Sequence, residues 1–179
     1  MTSCKKEEKL TYLYADQELE LYCNQIDTSL IKETLYSFQA DIEEKYSNMG
    51  ATDSYRKYTY YGMNGKAPYK EIVSKHSLEV MNELKKVDGL WNAEGSKSRL
   101  NYDHPFVACL INNFKSKDLS TTINALKSVD ALSPELLESR VRKIINDVET
   151  DKYLSLYIAL DSYYARIYDL TEADLKEKK

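Results

Sequence analysis

Glycine and proline are scarce in this sequence: its 179 residues include five Gly and three Pro. A sheet protein needs many tight turns, and these two residues supply the backbone conformations that such turns require. Their scarcity, beside an abundance of helix-forming residues, favours an all-α fold.

Long apolar runs and an excess of basic charge are also lacking. No stretch approaches the ~18 consecutive apolar residues that mark a membrane-spanning helix. The 25 basic and 29 acidic residues are interleaved and give a formal net charge of -4, which leaves no basic stripe for a phosphate backbone. We therefore expect a soluble domain with no nucleic-acid partner.

Residues that commonly carry chemistry are few. His76 and His104 are the only histidines, and neither has a cysteine or carboxylate beside it at metal-ligand spacing. His76 lies on an apolar helical face and His104 in the first turn of a helix, where Asp103 is explained by capping. Ala67 stands where a phosphate loop requires a hydroxyl after its lysine. We expect no enzyme activity, no metal and no cofactor.

Apolar residues at helical spacing predict about seven helices, arranged as an irregular bundle or a short stack of helical hairpins. Ile31, Leu35, Phe38, Ile42 and Tyr46 form the clearest stripe in the first half. Further helices are predicted over residues 19–26, 68–87, 105–114, 120–126, 133–148 and 151–170. The expected layout is a charged tether over 1–12, one helical domain over 13–170 and a frayed tail over 171–179.

Tyrosine is abundant, with 16 copies against three Phe and one Trp. Residues 55–66 are tyrosine-rich and end in Asn64-Gly65, which predicts a small hairpin or a loop. Exposed rings there would contact a protein partner or stack on sugars, whereas packing of the segment over the core is the alternative. The candidate binding residues are Tyr55, Tyr58, Tyr60, Tyr61, Tyr69 and Trp91, the last within a predicted loop over 89–102.

The N-terminus carries the most specific motif. Thr2-Ser3-Cys4 resembles the end of a lipobox, with Met1 in place of the usual leucine. The next five residues are similar to the export signal of surface lipoproteins in the Bacteroidota; they are Lys5, Lys6, Glu7, Glu8 and Lys9. This resemblance implies a signal peptide upstream, a lipid on Cys4 and display on the outer membrane. It covers only these few residues and implies nothing about the fold.

Three functions remain open. We expect a non-catalytic, lipid-anchored envelope protein that acts as a binding or accessory subunit of an outer-membrane or cell-surface assembly. The first alternative is a glycan-binding surface module that uses the exposed tyrosines. The second is a cytosolic helical adaptor, if the lipobox is incidental.

Cys23 and Cys109 are the remaining cysteines. An envelope location permits a disulfide between them. Both residues nevertheless lie on or beside predicted helical stripes, where cysteine is a frequent small core residue. Two buried thiols are the favoured expectation, and a disulfide is the alternative.

Overall fold

The computed structural model describes residues 9–46 and 49–175, and this part of the chain is all-α, as predicted. The α-helices are α1 (Thr28–Tyr46), α2 (Ala51–Gly62), α3 (Tyr69–Ile72), α4 (Lys75–Leu84), α5 (Pro105–Asn112), α6 (Lys117–Ser128), α7 (Pro134–Lys143), α8 (Lys152–Ile158) and α9 (Ala165–Ile167). Shorter 3-10 turns cover Ile145–Glu149 and Glu172–Asp174. The described residues form no sheet, only an isolated antiparallel bridge between Trp91 and Leu100.

One helix lies at the centre of the bundle. It comprises α8, a π-helical turn over Ala159–Tyr164, and α9, and is called the central helix below. Every residue from 154 to 164 is buried, because α1, α2 and α5 pack around the helix. The sequence predicts that only one face of this helix is buried. Residues 154–164 are instead apolar enough for neighbouring helices to bury every face.

Several predicted helices are confirmed, although their caps differ. α1 spans the stripe from Ile31 to Tyr46. α5 is capped by His104, whose Nδ1 accepts from the Phe106 amide at 3.2 Å, and not by Asp103. α6 is capped by Ser116 and not by Ser120, the first residue of the predicted helix. Ser120 lies inside α6, where its hydroxyl donates to the Ile111 carbonyl of α5.

The prediction of a helix over residues 19–26 is wrong. Residues 9–27 form an irregular segment, called the N-terminal segment below, that contacts α1 through Lys32, α4 through His76 and α5 through Cys109. Leu10, Cys23 and Ile26 are buried, and the Tyr14 amide donates to the carboxylate of Glu33. Contact with the core therefore begins at Leu10, within the predicted tether.

The predicted helix over 68–87 is divided. α3 and α4 are separated at Ser74, whose hydroxyl caps α4 by accepting from the Ser77 amide. The carboxylate of Asp41 accepts from the Ser74 amide at 2.9 Å and from the Ser77 hydroxyl at 2.7 Å, which fixes the break against α1.

The predicted hairpin or loop over 55–66 is also wrong. Residues 51–62 form α2, and only the turn at residues 63–65 follows. Part of the predicted frayed tail is folded as well, since Thr171 and Asp174 form a capping box and Asp174 pairs with Lys70 at 3.2 Å. Residues 176–179 lie outside the described part.

Candidate functional site

The structure distributes the candidate aromatic residues over three places. Tyr55 and Tyr58 are in the core, where their rings lie 5.5 and 5.1 Å from that of Phe38. The Tyr58 hydroxyl donates to the Ser162 carbonyl of the central helix at 2.8 Å. α2 is amphipathic, and the spacing of these two tyrosines turns them inward.

Tyr69 and Trp91 are half-buried, and their side chains contact different residues. The Tyr69 hydroxyl contacts the carbonyls of Gly62 and Ser162 at 3.1 and 3.0 Å. The indole N–H of Trp91 donates to the Leu84 carbonyl at 3.0 Å, and its ring packs on Tyr168. Both side chains connect elements of the bundle.

Tyr60 and Tyr61 are the exposed members of the set. Their side chains are 50% and 46% exposed, and their rings pack edge to face with centroids 4.8 Å apart. The guanidinium of Arg142 lies 4.8 Å from the Tyr60 ring centroid, in cation–π geometry. These residues line an open concavity of about 420 Å³ together with Tyr46, Arg56 and Lys57. It is called the tyrosine concavity below.

The basic residues of the tyrosine concavity are held in place by polar partners. Lys57 pairs with Asp53 at 2.8 Å, and Arg142 pairs with Glu138 at 3.0 Å. Arg56 donates to the Asn146 side chain at 2.8 Å. Such a surface loses little side-chain entropy when a partner binds. Aromatic faces beside cationic groups can bind an acidic protein segment or a sugar.

The lipobox prediction falls mostly outside the described residues. Thr2, Ser3, Cys4 and the charged residues through Glu8 are not described, and Lys9 is exposed at the start of the described chain. Lipidation of Cys4 stays a prediction. Within residues 9–46 and 49–175, none of the helices has the length and apolar character needed to cross a bilayer.

Cys23 and Cys109 form a disulfide, so the expectation of two free thiols is wrong. Their Cα atoms are 5.8 Å apart. The bond connects the N-terminal segment to α5 across a sequence separation of 86 residues. The helical stripe predicted around Cys23 does not form, although α5 does form around Cys109, and the irregular N-terminal segment places Cys23 against α5.

Sequence reasoning missed a buried carboxylate in the central helix. Asp161 is fully buried, and its Oδ2 accepts from the hydroxyls of Tyr102 at 2.7 Å and Tyr157 at 3.0 Å. Burial raises the pKa of Asp161 to about 6, although the two hydroxyls and the charge of Arg166 lower it. A lone aspartate inside an apolar run, four residues after a tyrosine, is the signal that could have revealed it.

The two histidines have structural partners. His76 lies at the boundary of the core, with its Nε2 2.7 Å from the buried carboxylate of Glu33. Burial lowers the pKa of His104, which caps α5. No group of three or more His, Cys, Asp or Glu side chains among the described residues is placed to hold a metal ion.

No protein-family model, curated protein or solved structure matches this chain.

Proposed function

We propose that this chain is a non-catalytic, lipid-anchored protein of the bacterial envelope, attached to the outer membrane through Cys4. It acts there as a binding or accessory subunit of a membrane or cell-surface assembly. The observation that carries the binding role is the tyrosine concavity, with its paired exposed rings and its basic residues.

The Cys23–Cys109 disulfide supports an envelope location. Structural disulfides persist in oxidising compartments such as the periplasm and the cell surface, and are rare in the reducing cytosol. The lipobox-like motif at Cys4 and the disulfide are independent features, and both favour export. The cytosolic adaptor alternative is correspondingly weakened.

The partner proposed for the tyrosine concavity is an acidic segment of another envelope protein. Tyr60 and Tyr61 supply rigid aromatic area, and Arg56, whose side-chain partner is the neutral Asn146, supplies a positive charge beside the ion-paired Lys57 and Arg142. Tyrosine and arginine are, with tryptophan, enriched among the side chains that contribute most strongly to protein interfaces. Stacking of a sugar on the same rings is the alternative, and it does not require an acidic partner.

The location is tested by expressing the protein from its own locus and fractionating the cells. We expect the wild type in the outer membrane with acyl chains on Cys4, detected by mass spectrometry of the N-terminal peptide. Cys4→Ser should move the protein to a soluble fraction, since acyl chains contribute about 0.8 kcal/mol per buried methylene to membrane binding. An unmodified Cys4 in a cytosolic protein would contradict the proposal.

The partner is tested by cross-linked co-purification from detergent-solubilised membranes. A stoichiometric protein partner should be lost from Tyr60→Ala/Tyr61→Ala and from Arg142→Glu. It should be kept by Tyr22→Ala, which removes a tyrosine that is 90% exposed on the N-terminal segment. Retention of wild type on a polysaccharide resin, lost with the double variant but unchanged by Arg142→Glu, would instead establish the glycan alternative.

A further inference from the structure

The N-terminal segment is held on the bundle by few contacts. Its backbone up to Ile26 makes one backbone-to-backbone hydrogen bond among the described residues, from the Gln17 amide to the Tyr14 carbonyl at 3.0 Å, and that bond lies within the segment. Three of its residues are buried, namely Leu10, Cys23 and Ile26. The segment therefore lacks both regular backbone hydrogen bonding and an extensive buried face, which are the features of a stably folded element.

Four hydrogen bonds connect the backbone of this segment to side chains of the bundle. They join Tyr14 to Glu33 at 2.6 Å, Ala15 to Lys32 at 2.8 Å, Glu18 to Tyr36 at 2.6 Å and Tyr22 to Tyr153 at 3.1 Å. All but the first are at exposed positions. Such bonds contribute little net stability, because water replaces them when the segment leaves the surface.

The disulfide is the only covalent attachment of this segment to α5. Cys109 is partly exposed, and Cys23 lies between Tyr22 and Asn24, which are both exposed. The bond is therefore near the surface of the protein, where a thiolate reaches it once the weakly held segment opens locally.

The position of the bond determines how far an anchor at Cys4 can lie from the bundle. Contact with the core begins at Leu10, six residues after Cys4, and six residues span at most about 20 Å. If the segment is released, the first fixed element is α1, which begins at Thr28 and is capped by Asp27. The 24 residues from Cys4 to Thr28 span at most about 80 Å.

We propose that the Cys23–Cys109 bond is a redox-controlled latch that sets the length of the membrane tether. The oxidised bond keeps the N-terminal segment on α5 and holds the bundle close to the anchor. Reduction releases the segment, so the bundle moves away from the membrane. The release is independent of lipidation, whereas its effect on the tether rests on the proposed anchor at Cys4.

The reductant is a dithiol protein of the thiol–disulfide oxidoreductase class. One of its thiolates attacks a sulfur of the Cys23–Cys109 bond and forms a mixed disulfide, and the other sulfur of the pair leaves as a thiolate and takes up a proton. The second thiol of the reductant then displaces the remaining cysteine. Cys23 and Cys109 end as two thiols, and the reductant ends as a disulfide.

Release of the segment is tested on the whole, unanchored protein with dithiothreitol as the dithiol. A glutamate-specific protease should cut after Glu18 and Glu20 about tenfold faster or more in the reduced protein, because cleavage follows the open population that the bond suppresses. Cleavage after Glu138 in α7 and the circular dichroism should stay unchanged, which separates release from unfolding. Cys23→Ser/Cys109→Ser should be cut at the fast rate with or without dithiothreitol.

Two results would overturn the latch. One is a bond that dithiothreitol reduces only when the bundle unfolds. The other is equal cleavage after Glu18 and Glu20 in the oxidised and reduced proteins. If the double serine variant does not fold, the reduced wild type decides.

The tether length is tested on phosphatidylcholine vesicles that carry a maleimide lipid and a lipid with a fluorescent acceptor headgroup. Cys4 is the one cysteine outside the disulfide, so oxidised protein couples there whether or not cells lipidate it. Trp91 is the only tryptophan and serves as the energy donor. Energy transfer from Trp91 to the bilayer should fall on reduction, and it should be low in the double serine variant throughout.

The outcomes distinguish the latch from the proposed anchor. Unchanged energy transfer in a reduced protein whose segment is released would overturn the control of tether length. An unmodified Cys4 in cells would overturn the natural anchor, while faster cleavage on reduction would still establish release of the segment.

Discussion

Buried hydroxyls explain at the residue scale why this core uses tyrosine in place of phenylalanine. Tyr163 donates to the carboxylate of Asp41, and Tyr164 donates to the Thr34 carbonyl at 3.1 Å. Tyr58 similarly reaches the central helix. Each ring fills core volume, while its hydroxyl satisfies a polar group that packing would otherwise leave unpaired.

Asp161 is the buried group with the largest consequence for pH dependence. The pKa of an aspartate in the unfolded chain is about 4, whereas burial raises it to about 6 in the folded protein. The folded protein therefore holds this proton more tightly. Protonated Asp161 therefore contributes to the free energy of unfolding. This contribution is fully present below about pH 4 and is lost as the pH rises through about 6.

Asp161→Asn should make the free energy of unfolding depend less on pH in this range. Between about pH 4 and pH 7, the free energy of unfolding of the wild type should fall relative to the variant by up to about 3 kcal/mol. Urea denaturation at several pH values in this range measures the difference. Asp118→Asn, on the surface, should follow the wild type. Parallel profiles for wild type and Asp161→Asn would contradict the assigned pKa.

At the scale of elements, α2 illustrates how packing overrides helix propensity. Gly62 ends this helix, and a Cβ at that position would overlap the ring of Tyr58. The ring cannot move aside easily, since it is fully buried and its hydroxyl is bonded to Ser162. Glycine is therefore required here for close approach between side chain and backbone.

Gly62→Ala should destabilise the protein, although alanine favours helix by about 1 kcal/mol. Overpacking of this kind costs about 1–3 kcal/mol, which we expect to exceed that gain. Thermal and urea denaturation measure the net effect. In a Tyr58→Leu background the same substitution should cost less, because the overlapping atoms are gone. A higher melting temperature for Gly62→Ala would show that the ring can relocate.

At the scale of the whole molecule, the disulfide and the central helix hold distant parts of the chain together. The N-terminal segment has no helix of its own, and it is fixed by the Cys23–Cys109 bond and by side-chain contacts with α1. A cross-link across 86 residues removes much conformational freedom from the unfolded chain.

Cys23→Ser/Cys109→Ser should lose about 2–5 kcal/mol in free energy of unfolding and show a lower melting temperature. Reductant should lower the melting temperature of the wild type toward that of the variant, and it should leave the variant unchanged. Hydrogen exchange should increase first in the N-terminal segment, which the bond retains on α5. Equal melting temperatures for oxidised wild type and variant would argue against the bond.

The sequence by itself determined the fold class and several elements. The scarcity of Gly and Pro indicated an all-α chain, and the stripe from Ile31 to Tyr46 located α1. Ser133 and Pro134 located the start of α7. These features are local, because helical periodicity and capping depend on residues a few positions apart.

Only the tertiary structure decided the rest. Apolar spacing near Cys23 matches a helix, but this segment is irregular and is tied to α5 by the disulfide. Apolar spacing after Tyr69 matches one long helix, but the contact of Ser74 with Asp41 of α1 fixes a break there. Neither the disulfide nor the hydrogen bond between Tyr102 and Asp161 has a local pattern, since each joins residues far apart in the chain. The lipobox-like motif at Cys4 is the converse case, because it is a local pattern whose residues lie outside the described part of the chain.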